Sequence, residues 1–130
     1  MMLSRKNIST ETPWERIFGY SRIVRVGPYV YVSGTTATDK LGNVVGIGNP
    51  YMQSIQIIKN IQTALQRVDA SLTDIVRTRI YTTNIIHWEK IGQAHLELFK
   101  EIRPACTLVE VSHLISPEML VEMEADAIVT

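Results

Sequence analysis

The chain has 130 residues, enough for one domain with a real core and too few for two. Hydrophobic residues make up 45% and charged residues 20%, and 13 bases balance 13 acids with no basic stripe, so nucleic acid is an unlikely class of partner. No apolar run approaches the roughly 20 residues of a membrane helix. The opening "MMLSRKNISTETPW" lacks the apolar stretch of a signal peptide, and the single cysteine allows no internal disulfide, so a reducing cytoplasm is the expected location.

Residues 1–15 are polar and aperiodic and read as a loosely held arm; "NIS" at Asn7 is an accidental glycosylation match. Ser21 to Val26 alternates, Gly27-Pro28 turns, and "YVYVSG" from Tyr29 to Gly34 is β-branched and aromatic at period two, which predicts a hairpin. "DKLGN" (Asp39 to Asn43) is a turn, with Val44-Val45 a short strand after it. "GIGNP" has neither the lysine nor the spacing of a phosphate loop. Asn49 instead reads as an N-cap with Pro50 in the first helical position.

The helix that follows carries Met52, Ile55, Ile58, Ile61, Leu65 and Val68 at threes and fours, with Gln53, Lys59, Asn60, Gln66 and Arg67 toward water. Ser71 and Asp74 can cap one short turn beyond it. Ile75 to Thr83 reads as a strand, with Val76, Thr78 and Ile80 on one face and Arg77, Arg79 and Tyr81 on the other. A second helix from Trp88 to Phe99 stripes Trp88, Ile91, His95, Leu98 and Phe99. Pro104 stops it, Thr107 to Val111 is a strand, and Leu120 to Val129 is a longer one. In that last strand Val121, Met123, Ala125, Ala127 and Val129 share one face, and Glu122, Glu124 and Asp126 the other.

Two amphipathic helices among these strands predict an α+β fold: a single domain over 1–130, a two-layer sandwich with both helices on one face of a mixed sheet. The other face carries arginines on one strand and carboxylates on another, with Tyr31 and Tyr81 between. Such a face can simply be solvated, its opposite charges pairing across strands; its aromatic and β-branched content points instead to burial against further copies in a closed symmetric oligomer.

"GYSRIVRVGPYVYVSG", "NIQTAL", "DIVRTRIYTTN" and above all "RPACTLVEVSHL…LVEMEADAIV" resemble the Rid family, the reactive-intermediate deaminases, also called YjgF or L-PSP endoribonucleases. The resemblance runs from about Gly19 to Val129. It implies a chorismate mutase-like homotrimer with small-molecule clefts between subunits, where enamines and imines are hydrolysed to ammonia and 2-oxo acids. Carried over by position, Tyr20, Ser33 and Gly34 line the cleft, Glu122 assists the attacking water, and Gly92 falls where the deaminases often have asparagine. Cys106 stands where they have the arginine that holds the substrate carboxylate. A cysteine has neither the fork of donors nor the fixed charge, so classical 2-aminoacrylate deamination is not expected.

Arg22, Arg79 and Arg103 are the candidates to replace that anion clamp. Cys106 could be a nucleophile only with a lowered pKa; a residue that shapes the cleft is the better reading. Glu122 is either the general acid/base or a cross-strand partner for Arg77 or Arg79. His95 lies on an apolar stripe and reads as a core or interface residue. No histidines or carboxylates stand at metal-ligand spacing, so neither metal nor cofactor is expected. The leading function is a trimer that binds a small metabolite and hydrolyses an imine- or enamine-type bond. The alternative is a non-catalytic ligand-binding or regulatory trimer, and RNA cleavage ranks last for want of a basic patch or stacking platform.

Overall fold

The longest helix shows how local sequence and tertiary packing divide the work. In the computed structural model, which describes residues 3–10 and 12–130, helix Pro50–Gln66 begins where Asn49 accepts a hydrogen bond from the Met52 N–H at 3.0 Å. Pro50 occupies the first turn, whose free N–H groups it does not need. Ile57, Ile58, Ile61 and Leu65 are fully buried against the sheet. Met52, by contrast, is exposed, and Gln53 is buried despite its polarity.

Gln53 is inside because two loops need it. Its amide donates to the Glu118 carbonyl at 2.9 Å and to Gly46 O at 3.3 Å, and its oxygen accepts from the Leu120 N–H at 2.9 Å. Asn60 likewise donates to the carbonyls of Thr36 and Thr38 at 3.2 and 3.0 Å. Both side chains tie loop backbone groups to the helix, which an apolar residue could not do.

The elements in chain order are β1 (Arg5–Ile8), α1 (Pro13–Phe18), β2 (Ile23–Val26), β3 (Tyr29–Thr35), α2 (Pro50–Gln66), β4 (Ile75–Thr82), α3 (Trp88–Phe99), β5 (Ala105–Glu110) and β6 (Val121–Ile128). The sheet runs β1-β2-β3-β6-β4-β5, antiparallel throughout except for the β4–β5 pair. Helices α2 and α3 pack together over one face, so the fold is the predicted α+β sandwich with a mixed sheet. Ile23, Val30, Val32, Ile80, Met123 and Ala125 supply the sheet side of the core, and Ile91 and Phe99 join from α3.

Three local expectations are corrected. The loose arm is structured: β1 pairs with β2 from Arg5↔Val26 to Ile8↔Ile23, and α1 follows. Val44-Val45 does not form a strand, only an isolated bridge between Thr38 and Val44. Val76 does not share the buried face of β4, because Ile75 and Arg77 sit opposite the adjacent residues Ala127 and Asp126. The extra residue makes a bulge that turns Val76 to solvent and returns Thr78 and Ile80 to the core.

Candidate functional site

Two sites emerge, one on each face of the sheet. The first gathers on the face opposite α2 and α3, where β6 presents Glu122, Glu124 and Asp126. Glu122 lies opposite Tyr81, Glu124 opposite Arg79 and Asp126 opposite Arg77. Between Val32 and Thr35 the β3–β6 register shifts, so Ser33 and Gly34 bulge beside Glu122. Gly34 permits this close approach: a Cβ on it would lie 2.0 Å from Glu122 Oε2 and 3.1 Å from its Cδ, so the carboxylate end would have to shift. The carboxylate is laid directly over the glycine backbone.

Arg22 fixes this corner. It is nine-tenths buried, donates through Nη1 to Gly34 O at 2.7 Å and to Thr35 Oγ1 at 2.9 Å, and reaches the Tyr20 hydroxyl through Nη2 at 3.5 Å. Its guanidinium carbon is 5.7 Å from the Tyr20 ring centroid. The Ser33 hydroxyl donates to Ser21 O at 2.6 Å. A cavity of about 350 Å³ opens beside the corner, lined by Gly34, Tyr81, Val111, His113, Leu114, Glu122 and Glu124.

Burial raises the pKa of Glu122; Arg22 opposes that rise and Glu124 adds to it, leaving the carboxyl above its ordinary range. Tyr81 donates to Glu124 Oε1 at 2.5 Å, and that hydrogen bond, with burial, holds the phenol neutral. Both shifts favour the protonated form, of the Glu122 carboxyl and of the tyrosine beside it. Glu122 is not the ion-pair partner of Arg77 or Arg79: Arg79 pairs with Asp126 at 3.2 Å.

The second site lies on the helical face, between α3 and the edge strand β5. Cys106 is opposite Thr78 and Leu108 opposite Ile80, so both point to the side that α3 covers. The cavity there is about 450 Å³, with Ile80, Trp88, Ile91, Leu96, Phe99 and Leu108 giving an apolar wall. Gly92, Cys106, His95, Lys100 and Arg103 complete it. Cys106 is exposed, and a Cβ on Gly92 would touch nothing within 4 Å. His95 is held by Thr78 Oγ1 at 3.0 Å and lies 4.5 Å from the Phe99 ring; burial lowers its pKa and so favours the neutral ring.

Of the residues singled out in the sequence, Tyr20, Arg22, Ser33, Gly34 and Glu122 thus come together, and Gly92, Arg103 and Cys106 come together elsewhere. The two groups do not meet within one chain. Arg79 is committed to Asp126, and Arg103, in a left-handed conformation at φ 53°, rims the Cys106 groove. Among the described residues no three His, Cys, Asp or Glu side chains gather as metal ligands.

Sequence reasoning missed Glu15. This buried carboxylate accepts from the Thr10 N–H at 2.8 Å, from the Thr10 hydroxyl and from Thr12 Oγ1 at 2.7 Å, and lies 3.6 Å from Arg22 Nε. The signal was present: Thr12-Pro13-Trp14-Glu15 has the Thr-x-x-Glu spacing and first-turn proline of a helix start. Gly19, at φ +79°, ends that helix in the left-handed conformation glycine takes freely.

The endoribonuclease L-PSP family model matches residues 11–129. This chain belongs to that family, the YjgF or Rid proteins. A RutC family protein of Pyrococcus abyssi is 32% identical over 96% of this chain and 98% of its own length. The crystal structure of a YjgF/YER057c/UK114 family member from Mycobacterium tuberculosis superposes with a TM-score of 0.88 at 42% identity, covering 97% of this chain and all of that one. A conserved Rid family protein of Yersinia pestis, described as of unknown function, gives 0.85 at 30% identity, covering 97% of this chain and all of that one. The family fold is thus the one this chain adopts, and no helix among the described residues is long and apolar enough to cross a membrane.

Proposed function

We propose that this protein is a cytoplasmic homotrimer that binds a small metabolite in clefts between subunits and hydrolyses an imine- or enamine-type bond there. The observation that carries the reading is the Glu122 corner: a half-buried carboxyl with raised proton affinity, laid over Gly34 beside a fixed arginine. In the reaction Glu122 takes a proton from the water that attacks the C=N carbon and returns it to nitrogen. The carbinolamine then collapses to a carbonyl compound and ammonia or an amine. Because the Cys106 groove and the Glu122 corner lie on opposite faces of one sheet, a cleft that uses both takes one from each of two subunits.

Cys106 supplies no fork of donors for a carboxylate, so 2-aminoacrylate-type enamines are poor substrates in this reading. The same feature favours the second reading, a ligand-binding trimer without turnover. RNA cleavage, which the family model's name suggests, has the least support: the cavity at Glu122 contains a single histidine, His113. The test is a panel of freshly generated imines differing in side chain, assayed for carbonyl release with wild type and Glu122→Gln. Turnover lost in Glu122→Gln supports the enzyme; binding without turnover across the panel supports the alternative.

A further inference from the structure

The Glu122 corner contains a second, deeper carboxylate that the hydrolytic reading does not use. Glu15 and Arg22 are both buried, at 4% and 9% exposure. Their contact is one of charge and not of hydrogen bonding: Arg22 Nε is enclosed, has no hydrogen-bond partner, and faces Glu15 Oε2 at 3.6 Å. The other face of the guanidinium holds Gly34 O and Thr35 Oγ1, and so holds the backbone over which Glu122 lies. Glu15 is itself fixed by the two threonines that flank the start of α1. A chain of contacts therefore runs from Thr10 and Thr12 through Glu15 and Arg22 to Gly34 and Glu122.

We propose that Glu15 and Arg22 are a positioning pair for Glu122, in which Glu15 offsets the arginine charge so that Arg22 fixes the geometry of the site without stripping Glu122 of its proton. Arg22 draws Glu122 toward the ionised form, and Glu15, 3.6 Å from the same guanidinium, is the carboxylate placed to offset that pull. With Glu15 present the local balance is one cation against two carboxylates, and only one of them can be fully compensated. The hydrogen bonds decide which. Burial raises the pKa of Glu15, but the hydroxyls of Thr10 and Thr12, the Thr10 N–H and Arg22 together outweigh it and hold that carboxyl below its usual range. Glu122 has no such donors and keeps the higher proton affinity. The other groups that face Glu122 are Tyr81 from β4, neutral through its bond to Glu124; Glu124 from β6 itself; and His113 from the segment after β5.

This inference rests on Glu122 as the proton carrier, but its test needs no substrate. The Glu122 carboxyl carbon, assigned by its loss in Glu122→Gln, is titrated by NMR in the full-length protein. Glu15→Gln frees the arginine charge and moves the Glu122 midpoint to lower pH. Arg22→Gln moves it to higher pH, and Arg22→Lys restores the wild-type direction. The double variant Glu15→Gln/Arg22→Gln, which removes both charges together and so buries neither one alone, returns the midpoint toward wild type and carries the test where Arg22→Gln does not fold. A midpoint unmoved by Glu15→Gln, or left equally low in the double variant, overturns the proposal. Coupled midpoints with no imine turnover overturn only the hydrolytic reading.

Discussion

The two cavities are built on different terms. At the Glu122 corner three side chains are held within the chain: Arg22 on Gly34 and Thr35, Glu15 on Thr10 and Thr12, Tyr81 on Glu124. A glycine there lets the Glu122 carboxylate lie against the backbone. At the groove between α3 and β5, Trp88, Leu96 and Cys106 are exposed, and Gly92 is a mid-helix glycine that nothing in the chain requires. Such a glycine costs about 1 kcal/mol of helix stability relative to alanine. The corner is held largely by contacts within the chain, whereas the groove lies open along α3 and β5. Substitutions at the two places should therefore behave in opposite ways.

The largest effect should come from Glu15→Ala, which leaves the Arg22 charge buried without its partner. Urea denaturation should show a loss of about 3 kcal/mol. A loss below about 1 kcal/mol would mean that the corner is wetter than its geometry indicates. Gly34→Ala should follow. The added methyl displaces the end of a flexible carboxylate, so the stability cost should be modest, but turnover of any accepted imine should fall about 100-fold, as misplaced catalytic groups do. Activity near wild type would show that Glu122 need not lie over residue 34.

Glu122→Gln sharpens the comparison with pH. A carboxyl whose folded pKa is raised above its unfolded value weakens the fold once pH passes the unfolded pKa, most fully above the folded one. Removing the charge should raise Tm at pH 7 and leave it unchanged below the ordinary carboxylate range. Glu15, held low, has the opposite sign: its contribution is present at neutral pH and is lost as pH falls through its depressed pKa. A thermal melt series of the two glutamine variants against pH separates them.

At the groove, Gly92→Ala should stabilise the isolated fold by about 0.5–1 kcal/mol, because its Cβ meets nothing and helix propensity improves. If a ligand or a second copy fills that space, the same variant weakens binding or assembly. The smallest effect belongs to Cys106. Both Cys106→Ser and Cys106→Arg should melt within about 0.5 kcal/mol of wild type, as exposed substitutions do. A Cys106→Arg chain that no longer folds would place the side chain in a closed core.

What could be read in advance follows how far each signal travels. The stripe of α2 and the alternation of β6 are local periodicities, so Ile58, Ile61, Leu65, Val121 and Met123 were legible as core. Strand β1, "RKNI", is an edge strand with three exposed residues and so carries no alternation to read. Gln53 and Asn60 are polar because loops distant in sequence need their amides, which no pattern in the helix records. Cys106 and Glu122 were both assigned to the cleft by the family resemblance, which does not say which face of the sheet each occupies. Their opposite faces follow from the registers of β5 on β4 and of β4 on β6, which are tertiary facts. Glu15 was missed because its partner, Arg22, belongs to another element, although the helix-start spacing around it was visible.

The central claim is that the groove and the corner complete one another across a subunit boundary. Cys106 is the only cysteine, which makes a direct measurement possible. A second thiol placed by His113→Cys, beside Glu122, should be bridged to Cys106 by a short bis-maleimide. The account predicts covalent dimers and trimers on a denaturing gel, absent from wild type and from Cys106→Ser/His113→Cys. Exclusively monomeric chains, cross-linked internally or not at all, would contradict it.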